Sequence, residues 1–443
     1  MEVGFGTADI TPEKGEPTSL FIEHPLEEAV TPLLLKVCYL RDEEQATVIV
    51  TLDTTSLYTQ VIEDLCRTIA GATGIPHSCI IVQSTHTHSS PFLHPAAQEV
   101  LGRRGVRFLS STYYARVLQG AEEAAREALR TLSIVDVFYS SGMAKQVASN
   151  RRVRLADGSI EVRWSRGVSD ELRSSPEGII DPVVSCIWFK NSLGQIMGSL
   201  IHYACHATTY NNYLKAHWDF PGYAASEVEH QLGGTCMFLQ GCAGNISPGK
   251  YTVGEPQEDC LRMAHEIAIA ALDSYPTAQR LGVQSLSLVS GEVSTTLRIL
   301  PNIDELNRLL DQEVAKYQEA LSAGKSFDNN DFMSIAARLV LLERYPDKNM
   351  PSKVFVLGVG ELPLVFLPGE IFIETSLQLQ FEFPDTRPIV MAYTDASLEY
   401  VPIASAFAEQ GGYETSEDWC FSVPGNAEVL TAYAAELIRK GMS

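Results

Sequence analysis

Two periods of apolar and polar positions alternate along this chain. ATVIVTLD (46–53) is an unbroken apolar, β-branched run, the pattern of a buried strand. YTQVIEDLCRTIAGATG (58–74) then places its apolar residues at helical spacing and ends on a glycine. Ile75 and Pro76 lead into CIIVQSTHTHSSP, so a second buried strand runs out at Gln83 and Ser84 into a polar segment carrying histidines. The unit reads strand, helix, strand. In open α/β sheets ligands gather beyond the carboxyl ends of the strands, which is where His86 and His88 fall.

IMGSLIHYACHATTY (196–210) and CMFLQGCAGNISPG (236–249) repeat the arrangement, each an apolar strand entering a small-residue or polar turn. STYYARVLQGAEEAAREALR (111–130) is an amphipathic helix, and PQEDCLRMAHEIAIAALDSY (256–275) is a packed one in which His265 is assigned no function. From 301 to 350 the texture is helical. Asn302 with Glu305 forms a capping pair, Leu306, Leu309, Leu310, Tyr317 and Leu321 follow at helical intervals, AGKSFDNND interrupts, and FMSIAARLVLLERY resumes. KVFVLGVGELPLVFLPGE (353–370) predicts two strands joined at a Gly-Glu turn, PIVMAYTD (388–395) another strand, and AEVLTAYAAELIRK a closing helix. No repeat, low-complexity tract or flexible linker intervenes. The expectation is one large α/β domain over 1–443, of mixed α+β character, with a strand-end active site flanked by helices and a helical-hairpin insertion at about 301–350.

Charge narrows the partners. The 443 residues carry 33 Lys and Arg against 55 Asp and Glu, a net charge of −22 with a pI near 4.9. Surplus carboxylates repel a phosphate backbone and an anionic bilayer alike, so neither nucleic acid nor a stable membrane anchor is expected. The opening MEVGFGTADITPEKG lacks a basic and apolar leader pattern, and no run approaches the ~18 apolar residues of a spanning helix, which points to the cytoplasm. Nine cysteines, odd in number and without CxxC spacing, read as small core residues in a reducing compartment. Homo-oligomerisation is left open.

All ten histidines precede residue 266, and four stand in two clusters after strands: His86 and His88 in THTH, His202 and His206 in IHYACHAT. Side chains two apart in an extended segment point the same way, about 6 to 7 Å apart, so one imidazole can bind a metal while the other touches substrate. A plain core role for each pair is the competing reading. The metallo-β-lactamase pattern fails, because Ser90 and Pro91 stand where it needs Asp and His. An amidohydrolase barrel would use His206, His217 and Asp395 at successive strand ends, but the chain lacks the regular eightfold alternation.

Seven collinear stretches between residue 3 and about 414 carry a more specific signal. VGFGTADITP, THTHSSP (85–91), NRR (150–152), HATTYNN…DFPGYAA (206–225), FLQGCAGNISPG, LPGE (367–370), and Tyr400-Val401 with Tyr413-Glu414 together resemble the catalytic domain of the neutral ceramidases, the zinc-dependent family that hydrolyses the N-acyl amide of ceramide. The resemblance implies one zinc ion held by His86, His206, Glu370 and Tyr400. It also implies that His88 and Tyr413 face the developing oxyanion and that Arg151 steadies it, or a carboxylate product, by charge. Ser247 and Asn245, in the turn after a strand, would meet polar groups of the substrate, and Asp219 is read as structural. Zinc takes four or five nitrogen and oxygen ligands and leaves a position open in catalytic sites. A tyrosine ligand requires the metal's charge to lower a phenol pKa of about 10.

Three departures, Asn245 for Asp, Gly249 for Asn and Ser90 for Gly, rebuild the turn that faces the substrate. Only 30 residues follow Tyr413, so the immunoglobulin-like C-terminal domain of the full ceramidases is not expected. The expectation is a cytoplasmic zinc hydrolase that cleaves a small, soluble N-acyl compound rather than ceramide, by metal-activated water. The alternatives are a non-catalytic metal- or ligand-binding protein of the same fold, and a cyclic-amide hydrolase of the amidohydrolase type.

Overall fold

In the computed structural model, which describes residues 1–442 apart from 19–23, 213, 283–284, 300 and 329, the apolar runs pair into three sheets of four or five strands. The first holds β1 (Glu2–Asp9), β2 (Leu34–Arg41), β3 (Ala46–Leu52) and β4 (Ile80–Ser84) in the order β4-β3-β2-β1, with Ser133–Ile134 on the far edge. β1, β2 and β3 are antiparallel neighbours, whereas β3 and β4 run parallel, with Leu52 opposite Ser84, because α1 (Thr59–Thr73) crosses between them. The predicted strand-helix-strand unit is therefore present. α2 (Ser111–Arg130) packs on β1, where a Cβ at Gly4 or Gly6 would collide with the Ala128 and Ala124 carbonyl oxygens. That close approach is the physical content of the N-terminal Gly-x-Gly.

The second sheet holds β5 (Asp136–Met143), β6 (Val183–Lys190), β7 (Ile196–Tyr203) and β8 (Thr235–Gln240). Again one edge pair is parallel: β7 and β8 are joined through α3 (Asp219–Leu232). α4 (Pro256–Ser274) packs on α3 and β5, confirming the predicted helix. The third sheet runs β9 (Leu286–Thr296), β10 (Asn349–Val359), β11 (Leu362–Phe366) and β12 (Ile389–Met391), with β11 and β12 parallel. Between β9 and β10 stand two helices, α5 (Ile303–Ser322) and α6 (Asn330–Arg344), and α7 (Asn426–Gly441) closes the chain. No sheet closes on itself among the described residues, so the barrel required by the cyclic-amide alternative is overturned.

Alternate residues explain the layering. Val3 and Phe5, Cys38 and Leu40, Ile49 and Ile81 leave one face of the first sheet and share a core with Ile187, Phe189 and Leu200 of the second and Leu357, Leu364 and Met391 of the third. The opposite faces carry Val37, Tyr39, Val48 and Val50 into a core with the helices. With three sheets facing one another, the carboxyl ends of their parallel edges meet. Gln83, fully buried, ties them: its Nε2 donates to the carbonyls of Gln240 (2.7 Å) and Ala392 (2.6 Å), and its Oε1 accepts from the Gln240 N–H (3.3 Å). These residues lie in β4, at the end of β8 and just after β12. No helix among the described residues is long and apolar enough to cross a membrane.

Candidate metal centre

The loops leaving those three edges build the site. His86 follows β4 and adopts φ +63°, a left-handed conformation uncommon for a residue with a Cβ. The segment is therefore not extended, as the i, i+2 argument assumed. The His86 and His88 ring centroids lie 4.7 Å apart and their Nε2 atoms 3.2 Å apart. His206 follows β7, and Glu370, after β11, pairs in parallel with Tyr400. Glu370 Oε2 stands 3.0 Å from His206 Nε2 and 3.4 Å from His86 Nε2, and Tyr400 Oη 3.5 Å from His206 Nε2. Four distant stretches thus bring the four predicted ligand side chains together. The ring nitrogens of His86, His88 and His206 also form a group within 4.8 Å.

Hydrogen bonding decides what this cluster suits. His86 Nδ1 lies 2.6 Å from the Thr55 carbonyl, and His206 Nδ1 lies 2.6 Å from the Ala243 carbonyl. A carbonyl only accepts, so each Nδ1 carries the hydrogen, and the neutral tautomer that this selects has a bare Nε2. Burial pushes His206 down to about 4, which keeps it neutral. In that tautomer two bare nitrogens and a carboxylate oxygen face one another with no hydrogen among them. Glu370 Oε2 is within ion-pair range of both rings yet accepts no aligned hydrogen bond. Acceptors at that range repel unless a cation lies among them. Imidazole nitrogens, a carboxylate and a phenol oxygen fit a divalent metal, with the Thr55 and Ala243 carbonyls fixing the rings.

The cluster lies at a cavity of about 400 Å³ whose lining includes His88, Arg151, Tyr400 and Tyr413. Arg151 is 4% exposed. Its Nε donates to Glu414 Oε1 (2.6 Å), its Nη2 to the Gly244 carbonyl (2.8 Å), and its Cζ stands 5.2 Å from the Tyr400 ring centroid. Burial raises the Tyr400 hydroxyl well above its ordinary pKa, and the Arg151 charge opposes that rise. Burial also raises Tyr413, half-buried with its ring 5.7 Å from that of Tyr400, so Tyr413 stays a phenol and a donor. Desolvation and the two neighbouring imidazoles hold His88 well below its usual value, hence neutral.

Comparison with known proteins agrees with this picture. Over 390 residues the chain is 25% identical to the neutral ceramidase of Pseudomonas aeruginosa, an alignment covering 75% of this chain and 55% of that protein. The chain therefore spans about half the length of the curated relative it matches. No family model matches. The crystal structure of neutral ceramidase from Pseudomonas aeruginosa superposes with a TM-score of 0.74 at 16% identity, covering 99% of this chain and 74% of the other. A ceramidase complexed with C2 superposes with a TM-score of 0.70 at 18% identity and the same coverage. The fold is that of the neutral ceramidases. The resemblance read from the sequence is found again, in sequence and in architecture.

The ceramidase-like motifs then acquire physical roles. In NRR, Arg151 and Arg152 both grip Glu414, at 2.6 Å each, so Arg151 is a buried ion-pair member rather than a surface cation. In the turn after β8, a Cβ at Gly244 would collide with the Glu370 carbonyl oxygen, so this turn and the carboxylate segment are in backbone contact. The two predicted substrate contacts in that turn lie away from the cavity. Ser247 is fully buried, and its hydroxyl donates to the Arg163 carbonyl (3.0 Å). Asn245 donates to Glu374 Oε2 (2.9 Å) and accepts from the Ile373 N–H (3.0 Å). Neither lines the cavity, because buried turn side chains are consumed by the backbone around them. They shape the turn whose Ala243 carbonyl orients His206.

Other histidines also separate from the cluster. His202 faces the Val390 carbonyl at 3.1 Å, and His217 stacks on Tyr210 at 3.9 Å. Asp219 accepts from the N–H groups of Tyr210 and Phe220, the structural role read from the sequence. Sequence reasoning missed Tyr393, whose ring lies 4.2 Å from that of His86, and Glu399, which lines the cavity at φ +51°. It also missed Tyr58, whose hydroxyl donates to Glu399 Oε1 at 2.5 Å. The available signal was position: Tyr393 stands near the end of the predicted strand 388–395, and Glu399 directly precedes Tyr400.

Proposed function

We propose that this chain is a zinc-dependent hydrolase cleaving the amide bond of a small N-acyl compound. The observation that carries the proposal is the convergence of His86 Nε2, His206 Nε2 and Glu370 Oε2 with no hydrogen to share, beside the Tyr400 phenol and at a cavity. These four side chains would hold the metal. When bound, it supplies a Lewis acid that polarises a carbonyl and brings the pKa of water to about 7.

The chain's own groups supply the rest. Arg151 beside Tyr400 favours the phenolate, and Glu414 and the Gly244 carbonyl hold the guanidinium in that place. Neutral His88, on the cavity wall, has a ring nitrogen lone pair to take a proton during attack and return it toward the leaving amine. Tyr413 donates its hydroxyl to an oxygen gaining negative charge. The likeness to neutral ceramidase supports amide hydrolysis. The small-substrate reading is supported by the cavity's size and by Asp328, Asn330 and Met333, from α6 and the turn before it, in its wall.

Metal analysis followed by turnover of a panel of N-acylated amines, amino acids and sugars tests the proposal. His86→Ala and Glu370→Gln are expected to lose zinc and activity together with circular dichroism unchanged. Full zinc occupancy in either variant overturns that ligand assignment, and bound zinc without turnover on the whole panel favours the binding-protein alternative.

A further inference from the structure

Cavity space continues past the metal centre. A second cavity of about 290 Å³ lies across Tyr58, whose side chain belongs to both linings. α6 runs along the two. Met333 lines the first, and Ala337, Val340 and Leu341 of the same helix face line the second. Tyr58, 4% exposed, is fixed from three directions. Its hydroxyl donates to Glu399 Oε1 at 2.5 Å, its ring stacks on His94 at 3.8 Å and 16°, and Phe92 meets it edge-on at 5.4 Å. His94 is itself anchored, accepting from the Ala97 N–H at the start of the helix Pro95–Gly102. A ring constrained in this way is a partition, since close-packed interiors do not yield by a ring's width without cost.

The two ends of the catalytic cavity differ in chemistry. Around Tyr58 the wall carries the hydrocarbon of Phe92 and Met333, its one carboxyl, Glu399, being engaged by the Tyr58 hydroxyl, whereas Arg166 and Asn211 also border a third, open cavity and make that side polar. Hydrocarbon therefore suits the Tyr58 end. We infer that Tyr58 is a septum setting the length of the acyl chain, and that the second cavity is a latent extension of the acyl pocket. The inference rests on the N-acyl reading above. An acyl chain that reaches Tyr58 stops gaining from further methylenes, each of which would otherwise add about fourfold in affinity when buried.

The test uses one series of saturated N-acylethanolamines, from butanoyl to hexadecanoyl. It is assayed with the zinc-loaded protein for kcat and KM separately, and titrated calorimetrically into the metal-free protein. Wild type is expected to show affinity rising with chain length and then levelling. Tyr58→Ala moves the plateau to longer chains, gaining about fourfold per added methylene, chiefly in KM. Tyr58→Ala combined with Val340→Trp, which fills the second cavity, restores the wild-type plateau, and Val340→Trp alone leaves it in place. Tyr58→Leu serves the same purpose if Tyr58→Ala melts below the assay temperature. An unmoved plateau in a folded Tyr58 variant, or a wild type with no plateau, overturns the septum. A plateau that moves in the calorimetric series while no variant turns over any member sustains the septum and refutes the hydrolase reading instead.

Discussion

Replacing Gln83 by leucine tests what aligns the three sheet edges that carry the metal ligands. The side chain is fully buried and leucine has similar bulk, so the change removes hydrogen bonds without leaving a large void. The Ala392 carbonyl loses its 2.6 Å donor, a loss of about 1–3 kcal/mol for a buried acceptor left unpaired. The Gln240 carbonyl keeps the Ala392 N–H at 3.2 Å and so loses less, as does the Gln240 N–H with its longer 3.3 Å bond: about 0.5–1 kcal/mol each. Leucine's greater apolarity returns about 1 kcal/mol. The net expectation is a destabilisation of about 2 kcal/mol, read from the urea midpoint at unchanged m-value. Zinc affinity, measured by chelator competition, is expected to fall about tenfold, because His86 follows β4, His206 and Glu370 follow β7 and β11, the parallel neighbours of β8 and β12, and the support behind a ligand sets its placement. A shift below about 0.5 kcal/mol with unaltered zinc affinity would refute the reasoning and leave the apolar inner faces alone as the cause of alignment.

Three further outcomes are expected. Glu414→Gln leaves the buried Arg151 and Arg152 guanidiniums short of their shared counter-charge and should cost about 3–5 kcal/mol in chemical denaturation; a loss under 1 kcal/mol counts against a critical pair at that site. Gly244→Ala drives a Cβ into the Glu370 carbonyl and should weaken zinc binding about 10–100-fold while far-ultraviolet circular dichroism stays the same; wild-type affinity would mean the two loops yield freely. Burial holds His94 down to about 3 and His217 down to about 4, below an unfolded imidazole near 6.5, so the folded chain binds fewer protons than the unfolded chain in that window. Stability is then full above pH ~6.5 and lost as pH falls, by about 3 kcal/mol for His217 at pH ~4. Asp53, pushed up to about 6 by burial, works in the opposite direction between about 4 and 6. Comparing denaturation midpoints of His217→Gln with wild type isolates the histidine, and parallel pH profiles would sink the assignment.

Much of the secondary structure was written in local pattern. The parallel β3-α1-β4 unit, α2, α4, the two helices of the 301–350 region and the β10–β11 turn coincide with runs of period two or of helical period, because burial on one face is a property of neighbouring residues. The ligand residue types were also visible, as motifs at strand ends. Ser247 and Asn245 show the limit. A hydroxyl or carboxamide in a turn reads the same whether it meets substrate or backbone, and only the partner distinguishes them.

What the chain determined by itself is therefore which segments become strands and helices, and which chemical groups stand at their ends. Only tertiary structure decided that β4, β8 and β12 end side by side under one carboxamide, and that His86 turns through φ +63° to bring its Nε2 within 3.4 Å of Glu370. The reason is range. Periodicity is set by residues a few positions apart, whereas Gln83 meets Ala392 across a separation of 309 residues, through contacts that exist only once the sheets have packed.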